Sequence, residues 1–327
     1  MTRRVVKAVL LLASCYGTGA TAQTTEEIVV IGVVPFGAGI EKSKIPFPVQ
    51  TGSAEDLKSS NSQSIADFLK QSFTSVSLND AQNNPLQPDL QYRGFTASPL
   101  LGLAQGLAVY QNGNRINEPL GDAVNWDLLP QSAIHSITLS GGANPLFGQN
   151  SLGGSLAINM KNGFNFQDNN IEFSGGSFGR TRANAEFGGN FKPSSDRPDE
   201  GFAYYVNVEY FDEEGWRDES YSDAINFYGS LAWRSQTTKA EFNYQLGESD
   251  LTGNGSSPAE LLALDREAIF TGPDITANNM SMYHFDFSHE VSSNINIAAN
   301  AFYRNNDTDA FNGDGSDFSV CNLGNSP

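Results

Sequence analysis

Gly175-Gly176-Ser177-Phe178-Gly179 has the form G-x-S-x-G, the sharp turn that presents a serine nucleophile in many hydrolases. Such a serine needs a histidine base, a preceding strand and a following helix. The chain has three histidines, His135, His284 and His289, and the residues after Gly179 alternate like a strand. The pentapeptide therefore reads as a strand-to-strand corner. His284 and His289 are five apart on an alternating stretch, so they face opposite sides and share no metal. His135 reads as a packed residue of the first domain. Asp307-Thr308-Asp309 and Asn312-Gly313-Asp314 resemble a calcium loop, but neither frame has the turn glycine at position six. The acidic runs Asp212-Glu213-Glu214 and Asp218-Glu219 read as solvated loop charge. No catalytic residue, metal site or cofactor is expected, and the chemistry to look for is binding.

The start of the chain sets its compartment. Arg3, Arg4 and Lys7 precede an apolar run over residues 8–13, and Ala20-Thr21-Ala22 offers a cleavage pattern. Residues 1–22 thus read as a secretory signal peptide, with Cys15 in a lipoprotein-like setting as the alternative. No later stretch is long and apolar enough for a spanning helix. The net charge of −18 argues against a nucleic-acid partner, which would require basic patches. With 32 Gly, 22 Phe and 11 Tyr, the composition suits many strands and tight turns. After signal removal only Cys321 remains, a thiol whose partner lies elsewhere.

Two patterns divide the chain beyond residue 42. Residues 43–162 read as a compact α/β unit. Ser64-Ile65-Ala66-Asp67 has capping form, and Ile65, Phe68 and Leu69 place an apolar stripe on a short helix. Asn112-Gly113 between two apolar runs predicts a hairpin with a primed turn. Trp126 opens a single helical turn stopped by Pro130, and 134–139 and 155–160 alternate as strands.

From about residue 168 the period is two throughout. Phe202, Tyr204, Val206, Val208 and Tyr210 oppose Ala203, Tyr205, Asn207 and Glu209, and about seven such segments follow one another. Segments of about ten residues with one apolar and one polar face are the signature of a transmembrane β-barrel. Short turns at 235–238 and 291–294 alternate with long polar connections expected at 212–223, 247–279 and from 305 onward. Bacterial single-chain barrels close with an even number of strands, so 168–327 is expected to be a partial barrel cut within an outer loop.

The ordered stretches Glu26-Glu27-Ile28-Val29-Val30-Ile31-Gly32, Ser64 to Leu69, Tyr92-Arg93-Gly94-Phe95, Val109 to Asn117, and Asn144-Pro145-Leu146-Phe147-Gly148 to Gly154 resemble those of a TonB-dependent outer-membrane receptor. Residues 254–274 resemble its ferric-citrate-type branch more loosely. The resemblance implies an α+β plug domain inside a large antiparallel barrel, of about 22 strands when complete. It implies that Glu26, Glu27, Ile28, Val29, Val30, Ile31 and Gly32 form the TonB box, within a box-and-linker segment at 23–42. The box would be an unpaired strand that the partner TonB, driven by the inner-membrane proton gradient, adds to its own sheet. Pro35, Gly37, Gly39, Pro46 and Pro48 make the following residues a linker rather than a partner strand.

The resemblance also places Arg93 as a plug arginine facing the barrel wall, with Ser140 where a second arginine is common. It makes loops 96–106 and 117–126 the plug apex. Gln105, Asn117, Asn125 and Trp126 are the groups there most able to touch a solute. The implied activity is energised import of an iron chelate or ferric siderophore, with cobalamin or an oligosaccharide as alternative cargo. A truncated binding module that transports nothing is the alternative of another class. The implied location is the outer membrane, with plug and N-terminus toward the periplasm and acidic loops toward lipid and lipopolysaccharide.

Overall fold

The computed structural model describes residues 30–31, 40–41 and 47–313, apart from 194–195 and 198. The signal segment, Cys321 and most of the expected TonB box lie outside these residues. Of the box, Val30–Ile31 forms β1, which pairs antiparallel with β2 at Ile40–Glu41. The expectation of a linker without a partner strand is corrected there. Two extended apolar-rich pairs close a short ladder and satisfy each other's backbone groups, as an exposed edge favours. This ladder belongs to neither sheet of the first domain.

That domain begins with β3 (Val49–Ser53) and α1 (Ala54–Ser59). Ser53 and Asp56 form a reciprocal capping box at the start of α1, which the sequence reading missed. α2 (Ile65–Ser72) starts where Ser64 predicts, its Oγ accepting from Asp67 N at 3.1 Å. Then come β4 (Val76–Asn79), β5 (Asp89–Tyr92) and β6 (Phe95–Ala97), which form a small antiparallel sheet. The larger sheet contains β7 (Leu107–Gln111), β8 (Asn114–Arg115), β9 (Ile134–Gly141) and β10 (Gly154–Met160) in the order β3-β9-β10-β7-β8. β10 and β7 are parallel and the other neighbours antiparallel. The predicted primed turn joins β7 to β8, with Asn112 at φ 45° and Gly113 at φ 81°. Ile65, Phe68 and Leu69 of α2 pack with Val109, Ile137, Leu139, Leu156 and Ile158 of the sheet, all buried.

Seven antiparallel strands follow in simple sequence: β11 (Asn169–Gly175), β12 (Thr181–Phe191), β13 (Gly201–Glu213), β14 (Ser222–Arg234), β15 (Thr238–Gly253), β16 (Asp274–Ser292) and β17 (Ile295–Phe311). The connection expected at 247–279 shrinks to 254–273, which carries α3 (Ala259–Leu264). β17 runs to Phe311, so Asp307 and Asp309 lie in a strand rather than a loop.

Burial in this wall is inverted relative to a water-soluble sheet. Glu186, Asn207, Asn226, Ser230, Asn243, Gln245, Ser249, Asn278 and His284 are buried on the face toward the first domain. Phe202, Val208, Leu231, Phe242, Leu246, Phe285 and Ile297 are exposed on the other. Water would penalise the outer face, whereas hydrocarbon makes it favourable. Near the short-turn rim, Phe191, Phe202 and Trp233 stand opposite one another on three successive strands. An aromatic row at that level is what a membrane interface selects.

Candidate functional site between the first domain and the wall

The chain passes from one body to the other over a glycine saddle. A Cβ at Gly163 would lie 2.3 Å from Gly189 O and 2.4 Å from Tyr204 O, and one at Gly188 would lie 2.5 Å from Phe166 O. Only backbone fits there, and Gly188 N donates to Asp168 O at 2.9 Å. Beside the saddle, Lys161 Nζ lies 2.7 Å from Glu186 Oε2, with both side chains nearly buried. Tyr205 OH donates to the same oxygen at 2.8 Å, and Lys161 also sits over the Phe166 ring. Tyr205 and Tyr228 of the wall complete the first domain's own core.

Higher on the wall, the single turn of 3-10 helix at Trp126–Leu128 docks onto β14, β15 and β16. Gln245 Nε2 donates to Leu128 O at 2.6 Å, and Asn226 Nδ2 donates to Asp127 O at 2.8 Å. Ser249 Oγ and Asn278 Nδ2 donate to Asp127 Oδ2 at 2.6 and 3.0 Å. Burial pushes the Asp127 carboxyl above its ordinary range despite these bonds. Gly247 of β15 makes room for Leu128. A second latch pairs Glu118 with Arg304 of β17 through two parallel bonds of 2.8 Å, the bidentate geometry that favours arginine.

The four expected solute-contacting residues fare differently. Gln105 spends its amide inside its own loop, accepting from Ser98 N at 2.9 Å and donating to Ser98 O at 3.3 Å. Asn117 is buried, accepts from Val109 N at 2.8 Å and donates to Leu107 O and Asp122 O. Trp126 is buried, with Nε1 donating to Ala97 O at 3.2 Å. These three are brackets of the first domain, not groups free to meet a solute. Asn125 Nδ2 donates to Glu118 Oε1 at 2.9 Å and belongs to the latch.

The two loops do meet, since a Cβ on Gly121 would lie 3.0 Å from Leu101 Cδ2, but what they expose is Leu101, Leu103 and Leu120. Arg93 is exposed in the β5–β6 turn at φ 53°, stacked on Tyr92. Among the described residues no carboxylate pairs with it. Lys161–Glu186 and Glu118–Arg304 are ion pairs that join domain to wall among the described residues, and sequence reasoning missed them.

Ser177 lies in the tight turn between β11 and β12, with Phe178 at φ 62° and Gly179 at φ 73°, and no helix follows. His284 is held by Asn243 and by Asp286 at 2.7 Å, and His289 by Thr238. Among the described residues, no cluster of three His, Cys, Asp or Glu is placed to hold a metal.

A compact domain seated by buried polar groups on the inner face of an apolar-outside wall defines a class, the plugged β-barrels. Residues 41–155 match the family model of the TonB-dependent receptor plug domain. Plug and wall together have the fold of the first part of a TonB-dependent receptor, a family of receptors and transporters rather than enzymes.

The structure is similar to the ferric-catecholate import receptor Fiu of E. coli K12, at 16% identity and TM-score 0.64, covering 85% of this chain and 41% of that one. It is similar to the ferric citrate transporter FecA in its unliganded form, at 12% identity and TM-score 0.66, covering 82% and 41%. FpvA of P. aeruginosa, solved with heterologous pyoverdines, matches at 12% identity and TM-score 0.63, covering 81% and 35%. The chain thus spans about two-fifths of the length of such structures. No curated protein matches the sequence.

Proposed function

We propose that this protein serves energised import of a scarce solute across the outer membrane, with a ferric siderophore or other iron chelate as the cargo. The wall stands in the outer membrane, with short turns and N-terminus toward the periplasm and long loops outside. TonB grips the segment from Glu26 to Gly32 by strand addition, and its pull shifts the plug. The observation that carries this reading is the plug docked by buried polar contacts on the inner face of a wall whose apolar face points outward. Polar docking suits a part that must leave its seat, because each group can be satisfied by water afterwards. Of the similar solved structures, Fiu is named a ferric-catecholate import receptor and FecA a ferric citrate transporter, which supports iron as cargo.

A strain lacking the gene, complemented with the intact gene, is grown on a panel of labelled iron chelates. The proposal expects uptake of at least one chelate to return with the gene. It expects uptake to vanish with Ile28→Pro, because proline removes a ladder donor from the added strand. Uptake that survives this substitution refutes energised import through the segment.

A further inference from the structure

Loops 98–106 and 117–126 form the end of the plug nearest the long connections of the wall. The docking sets this direction: Asp127 meets Ser249 and Asn278, toward the loop ends of β15 and β16. Asn112, at the plug's other end, lines a gap with Lys239 and Ser288 near the short-turn ends of the same strands. Among the described residues this tip carries no free charge. Loop 98–106 has no ionisable residue, and Gly106 N closes it by donating to Thr96 O at 2.9 Å. Loop 117–126 has two, and both are engaged. Glu118 is held by Arg304, and Asp122 by Arg115 at 3.0 Å and by Asn150. Arg93 stands at the opposite end of β6. What the tip shows is apolar, with Leu101 62% exposed, Leu103 42% and Leu120 72%.

The long connections on the same side have one sign of free charge. Segments 214–221 and 254–273 carry six carboxylates, Glu214, Asp218, Glu219, Glu260, Asp265 and Glu267, all exposed. Their two guanidinium groups are occupied. Arg217 is buried and donates to Asn254 O, Gly255 O, Ser257 Oγ and Ala268 O. Arg266 lies over the Trp216 ring. α3 adds a further apolar group there, Leu264, at 88% exposure.

Resting on the reading of this protein as an importer, we infer that its cargo is an uncharged or cationic iron chelate with an apolar exterior, and not a polyanion. Iron(III) held by three singly charged groups, such as hydroxamates, gives a neutral complex, whereas three catecholates leave it trianionic. The carboxylates of the connections raise the energy of a polyanion on approach. At the tip it would lose hydration with no free cation to replace it. A neutral chelate escapes both costs, and its alkyl groups gain by covering Leu101, Leu103 and Leu120.

The test measures binding to the intact protein in lipid nanodiscs, where neither TonB nor a proton gradient takes part. The probes are ferrichrome, a neutral ferric tris-hydroxamate; ferric enterobactin, a trianionic tris-catecholate; and ferric dicitrate, each with radiolabelled iron in equilibrium dialysis. The inference expects ferrichrome to bind at least about tenfold more tightly than either anion at low salt, with the gap narrowing as salt screens the carboxylates. Leu120→Glu, at an exposed position, should leave Tm unchanged and weaken ferrichrome about tenfold. Leu120→Lys should instead strengthen dicitrate. Either anion binding as tightly as ferrichrome overturns the inference. So does absent ferrichrome binding, or binding unmoved by Leu120→Glu, which would mean that another segment of the chain covers the tip. An anion that binds, and whose uptake is lost with Ile28→Pro, refutes this inference and leaves the import reading standing. Ferrichrome binding as expected, with uptake indifferent to Ile28→Pro, supports the inference about the tip and refutes energised import.

Discussion

Removing one charge of the Lys161–Glu186 pair should loosen the plug where it joins the wall, and removing both should largely restore it. The two side chains keep only 10% and 6% of their surface, at a separation of 2.7 Å. Glu186→Gln leaves the Lys161 ammonium facing a neutral amide, with the Phe166 ring as its remaining attraction. Stranding one partner of a buried pair costs about 3–5 kcal/mol. At about 1.4 kcal/mol per tenfold, hydrogen exchange of the segment should rise by 10² or more. The reporting amide is Lys161 N–H, which lies beside the ion pair and donates to Ala133 O at 2.7 Å within the plug.

The double variant Lys161→Met/Glu186→Gln removes the stranded charge and leaves Tyr205 an acceptor in the glutamine oxygen. Its exchange should return to within about tenfold of the parent protein. The assay is exchange mass spectrometry on peptides covering 154–168 in micelles. Exchange in Glu186→Gln within about threefold of the parent would refute the reasoning. So would a double variant as labile as the single one.

Two further outcomes concern the docking turn. The folded-state pKa of Asp127 is raised, so the folded protein holds this proton to higher pH than the unfolded chain. Its contribution is therefore most favourable near and below about pH 4 and is lost as pH rises through the raised value. Asp127→Asn lacks this decline, and its Tm should match the parent near pH 4 and exceed it at pH 7; parallel Tm–pH curves would contradict the assignment. A Cβ on Gly247 would lie 2.8 Å from Asn226 Oδ1 and 3.0 Å from Leu128 Cδ2. Gly247→Val should cost about 1–3 kcal/mol and raise exchange across 124–130, and unchanged protection there would show that the turn does not rely on this gap.

The division into plug and wall was legible because each half carries a different period. α2, the Asn112-Gly113 turn and the turn at Trp126 each arise from a local signal of capping, primed-turn chemistry or a stopping proline. Strand ends were not legible on the loop side. Glu248, Asp250 and Thr252 continue β15 beyond the apolar band, where the ladder needs only backbone and the face is polar. The short β1–β2 ladder was hidden by the three glycines and the proline between its strands.

The site was harder still. Gln105, Asn117 and Trp126 have the right chemistry to grip a solute, yet their groups hold up the domain that carries them. Asp127 and Glu118 sit beside these residues in sequence, and nothing local marks them as the carboxylates that meet the wall. Their partners lie on β15, β16 and β17, more than a hundred residues away, and only the register of seven strands brings them within reach.

The saddle at Gly163, Gly188 and Gly189 gives the two ends of the plug different freedoms. The entering chain reaches β3 at the margin of its sheet, where one neighbour holds it. The departing chain is pressed backbone to backbone against β12, with a buried ion pair alongside. A pull on the entering chain would therefore act against a moored body, which would swing or unravel from its free side and not drop out whole. Any gap then opens along the flank farthest from the mooring, and re-seating begins from a fixed pivot already in place.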